Sequence, residues 1–432
     1  MTPARLLGLG RPPDTPPTLA QAEANIRHLV WEIAWFGVLI GTTVNFLQVY
    51  VVRLAASSLL VGAITYGPAL VSIFWQLPAS QLISRSGRRM RWVLGSGFVQ
   101  RLIYLLIALL PLVIVAGRAE LTVLLLVLQA IPVTIAATSF LSMLADAVPA
   151  GRMTQVIAWR MVGLGVSSTL STLLAGQVLQ RLPFPINYQT LFVIGYLASM
   201  VSAWHLSQLH VPDRPADASQ RGRWFAQFGR IMRYPRFAYY VLAVAVLQLA
   251  IGMSAPLFPL FWVRKMGASD GQISLVVTTA SAALVLCSLL MRRAVRKIGR
   301  ELALAAGAAG YALYPLLTSF SPSVWWLVPW AALGGFFNAA IAVTLFDNLV
   351  AVTPDADRTH YIGVFNVFVN VALFAGPLLA CLLANSAGGP SLGLRVAGAV
   401  GLLSGLLFAL RVRETAHTPR STPYASRTTT VP

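Results

Sequence analysis

Tyr50-Val-Val-Arg53 with Ala56-Ser57-Ser58 after it, and Phe261-Trp-Val-Arg264 with Gly267-Ala268-Ser269 after it, are one pattern written twice. In each copy a long apolar run ends in an arginine, crosses a short small-residue turn and enters another long apolar run. The offset is 211 residues. A second landmark repeats at nearly the same distance: the basic turn Arg85-Ser-Gly-Arg88-Arg89 returns as Lys297-Ile-Gly-Arg300-Glu301, and Pro149 has a counterpart in Pro354. A fixed period of this length means that two halves of one chain share a plan.

Around these landmarks lie twelve apolar runs, near 31–52, 59–83, 92–116, 121–148, 155–180, 188–210, 237–262, 271–294, 301–319, 323–350, 361–384 and 392–411. Several exceed the roughly 20 residues that a helix needs to cross ~30 Å of hydrocarbon. Composition agrees, with 57% of the 432 residues apolar and 10% charged. Backbone groups in a bilayer must pair within their own segment, and continuous runs lack the alternation of a barrel strand, so all twelve read as helices. The fold class is an all-α integral membrane protein whose transmembrane helices form two six-helix parallel repeats, an arrangement known in transporters, with a substrate site between the halves.

The expected organisation is a tail over 1–24, a first bundle over 25–210, a linker over 211–236, a second bundle over 237–413 and a final tail from 414. In the linker Trp224, Phe225, Phe228, Ile231 and Met232 recur at helical spacing against Arg223, Gln227, Arg230 and Arg233. That pattern suits a short amphipathic helix in the interface, as an anchor or as a strap between halves.

Sorting the basic residues by gap gives sidedness. Of the 32 Lys and Arg, 24 fall on the side shared by the termini and 6 on the other. The positive-inside rule then puts both termini in the cytoplasm of a cell's inner (plasma) membrane. The net charge of +19 is explained by this topology and by attraction to anionic lipids; it forms no single stripe with interleaved aromatics, so no nucleic-acid partner is expected. The five His (His28, His205, His210, His360, His417) are scattered along the chain, Cys287 and Cys381 lie in spans, and no phosphate loop is present. Neither an enzyme, a cofactor nor a metal is expected, and the chain is expected to be a monomer.

The loop Ser80-Gln-Leu-Ile-Ser84-Arg85-Ser86-Gly87-Arg88-Arg89 between the second and third spans resembles the signature of the major facilitator superfamily, Gly-x-Leu-x-Asp-Arg-x-Gly-Arg-Arg. Leu82, Arg85, Gly87, Arg88 and Arg89 match, and the 6+6 plan matches over about 25–413. Ser80 replaces the Gly and Ser84 the Asp. The resemblance implies a secondary transporter working by alternating access, with spans 1, 4, 7 and 10 around the cavity. It also implies that the gating role of the missing Asp is moved or lost, with Asp355 and Asp357 as candidate replacements facing Arg85, Arg88 and Arg89.

Read onto this chain, the polar cavity candidates are Asn45, Gln48, Gln248, Thr278, Asn366 and Asn370, with Thr279 beside Thr278 and Trp75, Tyr66 and Phe258 as aromatic walls. Asp146 and Arg160 are expected to pair between spans four and five, as a permanent clip or as a switch. Asp347 and Glu32 are the other carboxylates in spans, and protons are the expected coupling ion through Asp146, Asp347 or Glu32. Arg101 is expected to point among spans two and four in a structural role. A small neutral or amphiphilic substrate is expected, with export over uptake. The alternatives are an uptake permease, a uniporter, or a non-transporting assembly or regulatory protein on the same scaffold.

Overall fold

The computed structural model describes residues 18–86, 89–211, 229–354 and 358–417. Twelve helices long and apolar enough to cross a membrane run through it, and no strand occurs among the described residues. They are α1 (Leu19–Arg53), α2 (Ser58–Ser86), α3 (Arg89–Val113), α4 (Arg118–Ala147), α5 (Met153–Arg181), α6 (Ile186–Ser207), α7 (Pro235–Lys265), α8 (Asp270–Ile298), α9 (Arg300–Ser319), α10 (Leu327–Val352), α11 (Arg358–Ala384) and α12 (Gly389–His417). Because the number is even, the chain's two ends share one face, here the terminal face; the opposite one is the distal face.

The packing repeats as the sequence does. α1 packs on α5 and α6, α2 on α4, and α3 on α6; correspondingly α7 packs on α11 and α12, α8 on α10, and α9 on α12. Across the boundary α2 meets α11 and α8 meets α5, which are the same contact under exchange of halves. Two six-helix bundles in parallel orientation are the result.

α1 starts twelve residues before its apolar run. Thr18 and Gln21 form a capping box, and Asn25, Ile26 and Leu29 are buried against the rest of the first bundle, so tertiary packing extends the helix past the bilayer. Trp31 and Trp35 are exposed on α1, Trp159 on α5 and Trp204 on α6, all toward the terminal ends, whereas Trp325 and Trp326 are exposed at the distal start of α10. These indoles form the belts that tryptophan occupies at the two membrane surfaces.

α1 widens to a π-helical turn over Ile40–Val44, in which the Asn45 amide donates to the Ile40 carbonyl. The Thr42 hydroxyl donates to the Val38 carbonyl at 2.8 Å and competes with the helical ladder, and Gly41 lets the backbone lie against α5. A Cβ at Gly41 would meet the Ser168 carbonyl and come within 2.8 Å of Ser171 Cβ. Small residues are what bring membrane helices this close. Ser167 and Ser171 therefore serve as the floor under α1; Ser167 donates to the Gly163 carbonyl at 2.7 Å.

Of the linker, Val211 and residues 229–236 are described. Ile231 is buried and Met232 packs beside it in the second bundle's core; the part of the expected amphipathic helix before residue 229 lies outside the described residues.

Candidate functional site

The two arginines that opened the sequence pattern meet across the molecule. At the distal end of α1, Arg53 donates from Nε (3.0 Å) and Nη2 (2.9 Å) to Asp270 Oδ1 at the start of α8. The same Nη2 donates to the Ala268 carbonyl at 2.6 Å. Its repeat mate Arg264, at the end of α7, reaches back to the Ala56 carbonyl and, at 3.2 Å, to Ser58 Oγ. Each half thus hooks the turn that follows the other half's arginine. The clasp is asymmetric: Arg53 finds a carboxylate, while the position that matches Asp270 in the first half is Leu59.

Beneath the clasp the seam continues. Ser274 Oγ on α8 donates to the Thr172 carbonyl on α5 at 2.6 Å. On the other side Gly62 of α2 lies against Cys381 of α11, and Tyr66 meets Phe374 edge-on at 6.1 Å. These hydrogen bonds between halves gather at the distal face. A cleft of about 200 Å³ opens there between α5 and α8, beside Trp325 and lined by Gln177, Gln180 and Gln272; it lies at the seam's edge and holds none of the expected cavity residues.

The buried charges form a different pairing from the one expected between Asp146 and Arg160. Arg160 Nη1 donates to Glu32 Oε2 on α1 at 2.8 Å and to the Leu29 carbonyl at 2.5 Å, with its guanidinium over the Phe140 ring at 4.8 Å. Asp146 instead accepts from Arg89 Nη1 at 2.6 Å, an ion pair 15% and 11% exposed. The reason is depth. Arg160 lies two turns into α5, level with Glu32, while Asp146 ends α4 beside the first residue of α3.

Glu32 has a second contact: Ser202 Oγ on α6 donates to its Oε1 at 3.2 Å. Arg101 Nη2 donates to that same Ser202 hydroxyl at 3.3 Å, and its Nε to the Ser199 carbonyl at 2.9 Å. Arg101 thus leans on α6 rather than among α2 and α4, and folds back over Gly97, where a Cβ would come within 2.6 Å of its Nη1. One buried carboxylate joins two buried guanidiniums and ties α1, α3, α5 and α6 together.

The expected cavity residues divide. Asn45 Nδ2 donates to Thr172 Oγ1 at 3.0 Å and Gln48 Nε2 to Thr65 Oγ1 at 2.8 Å, so both bridge helices of the first half. Gln248 is half-buried on α7, and Thr278 is buried on α8 with no hydrogen bond to its hydroxyl among the described residues. Thr279 bonds within α8, to the Leu275 carbonyl. Asn366 is exposed on α11, and Asn370 donates back to its carbonyl at 2.8 Å. α7 and α11 are in close contact where Gly376 approaches the Leu249 carbonyl.

Phe258 stacks on Tyr314 at 4.5 Å and Trp262 at 5.4 Å inside the second bundle, and Trp75 packs with Ala79, Ile83 and Ile135 inside the first. Neither is a wall between halves; Tyr66 is at the seam. Asp347, expected deep in a span, is exposed five residues from the terminal end of α10. Arg88, Asp355, Asp357 and the side chains of Ser84 and Arg85 lie outside the described residues. No group of three metal-ligating side chains surrounds one point among the described residues.

Two parallel six-helix bundles, meeting at a seam sealed on one face, define a multi-pass membrane protein of transporter architecture. Residues 240–430 match the family model described as Major Facilitator Superfamily. Solved structures share its fold. A bacterial homolog of the human lysosomal transporter Spinster, in an inward-facing and unoccupied conformation, aligns with a TM-score of 0.71 at 12% identity, covering 92% of this chain and 98% of that one. A mutant of the peptide transporter POT in complex with alafosfalin aligns at 0.70 with 14% identity, covering 90% of this chain and 94% of that one. The same kind of mutant in complex with sulfate aligns at 0.68 with 13% identity, covering 96% and 99%. No curated protein sequence matches the chain.

Proposed function

We propose that the chain is a secondary transporter that moves a small neutral or amphiphilic molecule by rocking its two halves, and that the Arg53–Asp270 and Arg264–Ala56 clasp is its outer gate. The observation that carries this reading is the distal gathering of the hydrogen bonds between halves. With the termini in the cytoplasm, as the arginine distribution supports, the distal face is the outer one and this state is closed to the outside. The buried charges Glu32, Arg101 and Arg160 are tied up inside the first bundle, leaving amides and hydroxyls such as Gln248, Asn366 and Thr278 for a substrate between halves. An uncharged lining supports export of an amphiphile taken from the inner side.

Coupling is assigned to protons through Asp270. A ligand, a proton included, shifts a two-state equilibrium only if it binds the states differently. The partners of Glu32 and Asp146, namely Arg160 and Arg89, sit in the same bundle and travel with them. Asp270 takes its partner from the other half, so opening the gate separates it from Arg53. Arg53, Tyr188 and the nearby Arg264 are the groups that face it.

The test begins with a thermal-shift screen of purified protein against neutral and amphiphilic compounds at two pH values; a compound at 100 times its Kd stabilises by about 2.7 kcal/mol. A hit is then followed across proteoliposomes of the Gly62→Cys, Cys287→Ser variant, in which the new thiol faces Cys381 at the seam. Oxidation is expected to abolish flux and reduction to restore it. Full flux through the oxidised, crosslinked protein would overturn the gate.

A further inference from the structure

The cleft at the distal rim of the seam is built from both halves. Its polar wall carries three amides: Gln177 and Gln180 from the last turns of α5, and Gln272 from the first turn of α8. Gln180 lies across Gly271, where any Cβ would collide with its amide, so a first-half side chain overhangs second-half backbone. Gln272 Oε1 accepts from the Ser269 amide at 2.9 Å, which fixes this side chain and leaves its NH₂ group to donate. Gln177 and Gln180 are exposed, and their side chains make no hydrogen bond among the described residues.

An aromatic surface stands beside these amides. Trp325, in the turn that leads into α10, lines the cleft and is 63% exposed, whereas Trp326 next to it is stacked on Trp330 at 5.8 Å. A free indole face at headgroup depth is a flat apolar platform. Among the described residues no charged side chain lines the cleft, and Asp270, next to Gly271, is held by Arg53. An ionic group entering here loses hydration and gains no counter-charge. Amides donate and accept together, which suits hydroxyl groups. The volume of about 200 Å³ is below the ~300–1,000 Å³ of pockets for drug-sized molecules, so it suits one ring. On the membrane side α5 and α8 expose Leu173, Leu174 and Leu275.

We propose that this cleft binds the uncharged, polyhydroxylated ring of a glycolipid headgroup from the distal leaflet. The ring lies on Trp325, its hydroxyls meet the three glutamines, and its chains run along the exposed leucines. The lipid is a resident, not cargo: beneath the cleft the hydrogen bond from Ser274 to the Thr172 carbonyl, at 2.6 Å, ties the halves together. Because the lining comes from both halves, occupation holds them together at the distal face. That consequence rests on the gate proposed above; the binding does not.

The experiment is native mass spectrometry of the parent released from nanodiscs of phosphatidylcholine mixed with monogalactosyl diacylglycerol. One galactolipid is expected to be retained in preference to phosphatidylcholine, and to be lost in the Gln177→Leu, Trp325→Leu double variant. Thermal unfolding of that variant, compared with the parent, separates loss of the site from misfolding. A photoactivatable galactolipid reads the site without mutation, through crosslinks to the distal ends of α5, α8 and α10. No preference over phosphatidylcholine, equal retention in the double variant, or crosslinks confined to other helices each overturns the site. Displacement by an equal concentration of methyl galactoside overturns the lipid as its occupant. The second readout is outside labelling of a lone cysteine, Ser57→Cys, in liposomes with and without the galactolipid. At ten times its Kd, a lipid that binds only the closed state slows labelling roughly tenfold. Retained lipid with an unchanged labelling rate overturns the hold on the halves.

Discussion

Asp270→Asn opens the distal face. The asparagine keeps the shape but removes the charge that holds Arg53 by two donors to one oxygen, in a pair whose side chains are 28% and 13% exposed. Hydrogen bonds to a charged group are worth about 1.5–3 kcal/mol, so the closed-outside state loses roughly 2 kcal/mol, close to a thirtyfold shift in population. Solvent accessibility of a single cysteine introduced at Ser57 reports the change, read as thiol-labelling rate from outside. The variant is expected to label faster than the parent; equal labelling rates in parent and variant would remove Asp270 from the gate. Asp146→Asn is the control, since its partner Arg89 moves with it.

Arg160→Met unfolds the first bundle at much lower temperature, without touching the gate. It leaves the Glu32 carboxyl, 6% exposed, with Ser202 as its remaining hydrogen-bond partner and Arg101 beyond that hydroxyl. Removing one member of a buried pair costs about 3–5 kcal/mol, whereas replacing both by apolar groups of similar volume is often close to neutral. The Glu32→Met, Arg160→Met double variant is therefore expected to recover most of the lost thermal stability in detergent. A double variant as unstable as the single one would mean that the packing of these chains, not their charges, holds the bundle.

Much of the fold is legible in the chain because a bilayer imposes it. Twelve runs of sufficient length admit only helices, and the repeat of Arg53 by Arg264 and of Arg85 by Lys297 forces two halves in one orientation. The ends of helices are less legible: α1 begins at Leu19, where Asn25 and Leu29 are held by protein rather than lipid, and no apolar run marks that. The π-helical turn at Ile40–Val44 depends on a threonine competing with the ladder and a glycine close to a neighbour, which sequence spacing does not encode.

The site was legible in its residue types and illegible in its pairings. Glu32, Arg101, Asp146 and Arg160 stand out as charges in apolar runs, but their partners depend on relative depth across helices far apart in sequence. Asp270 opens a helix at the membrane surface, an ordinary place for an acid; what gives it weight is Arg53, 217 positions away. The signal was present in the repeat, since an arginine at the same place in both halves faces itself across a pseudo-twofold axis. The histidines show the same limit, scattered in the chain and adjacent in space.

The central claim is that the halves rock so that one face opens as the other closes. Electron–electron distance measurements between spin labels test it most directly, with one pair at Leu182 and Ser386 on the distal face and another at Arg152 and Pro354 on the terminal face, each in the parent and in Asp270→Asn. The account predicts opposite changes: in the variant the distal pair lengthens while the terminal pair shortens. Distances that stay fixed, or that lengthen together at both faces, would contradict it.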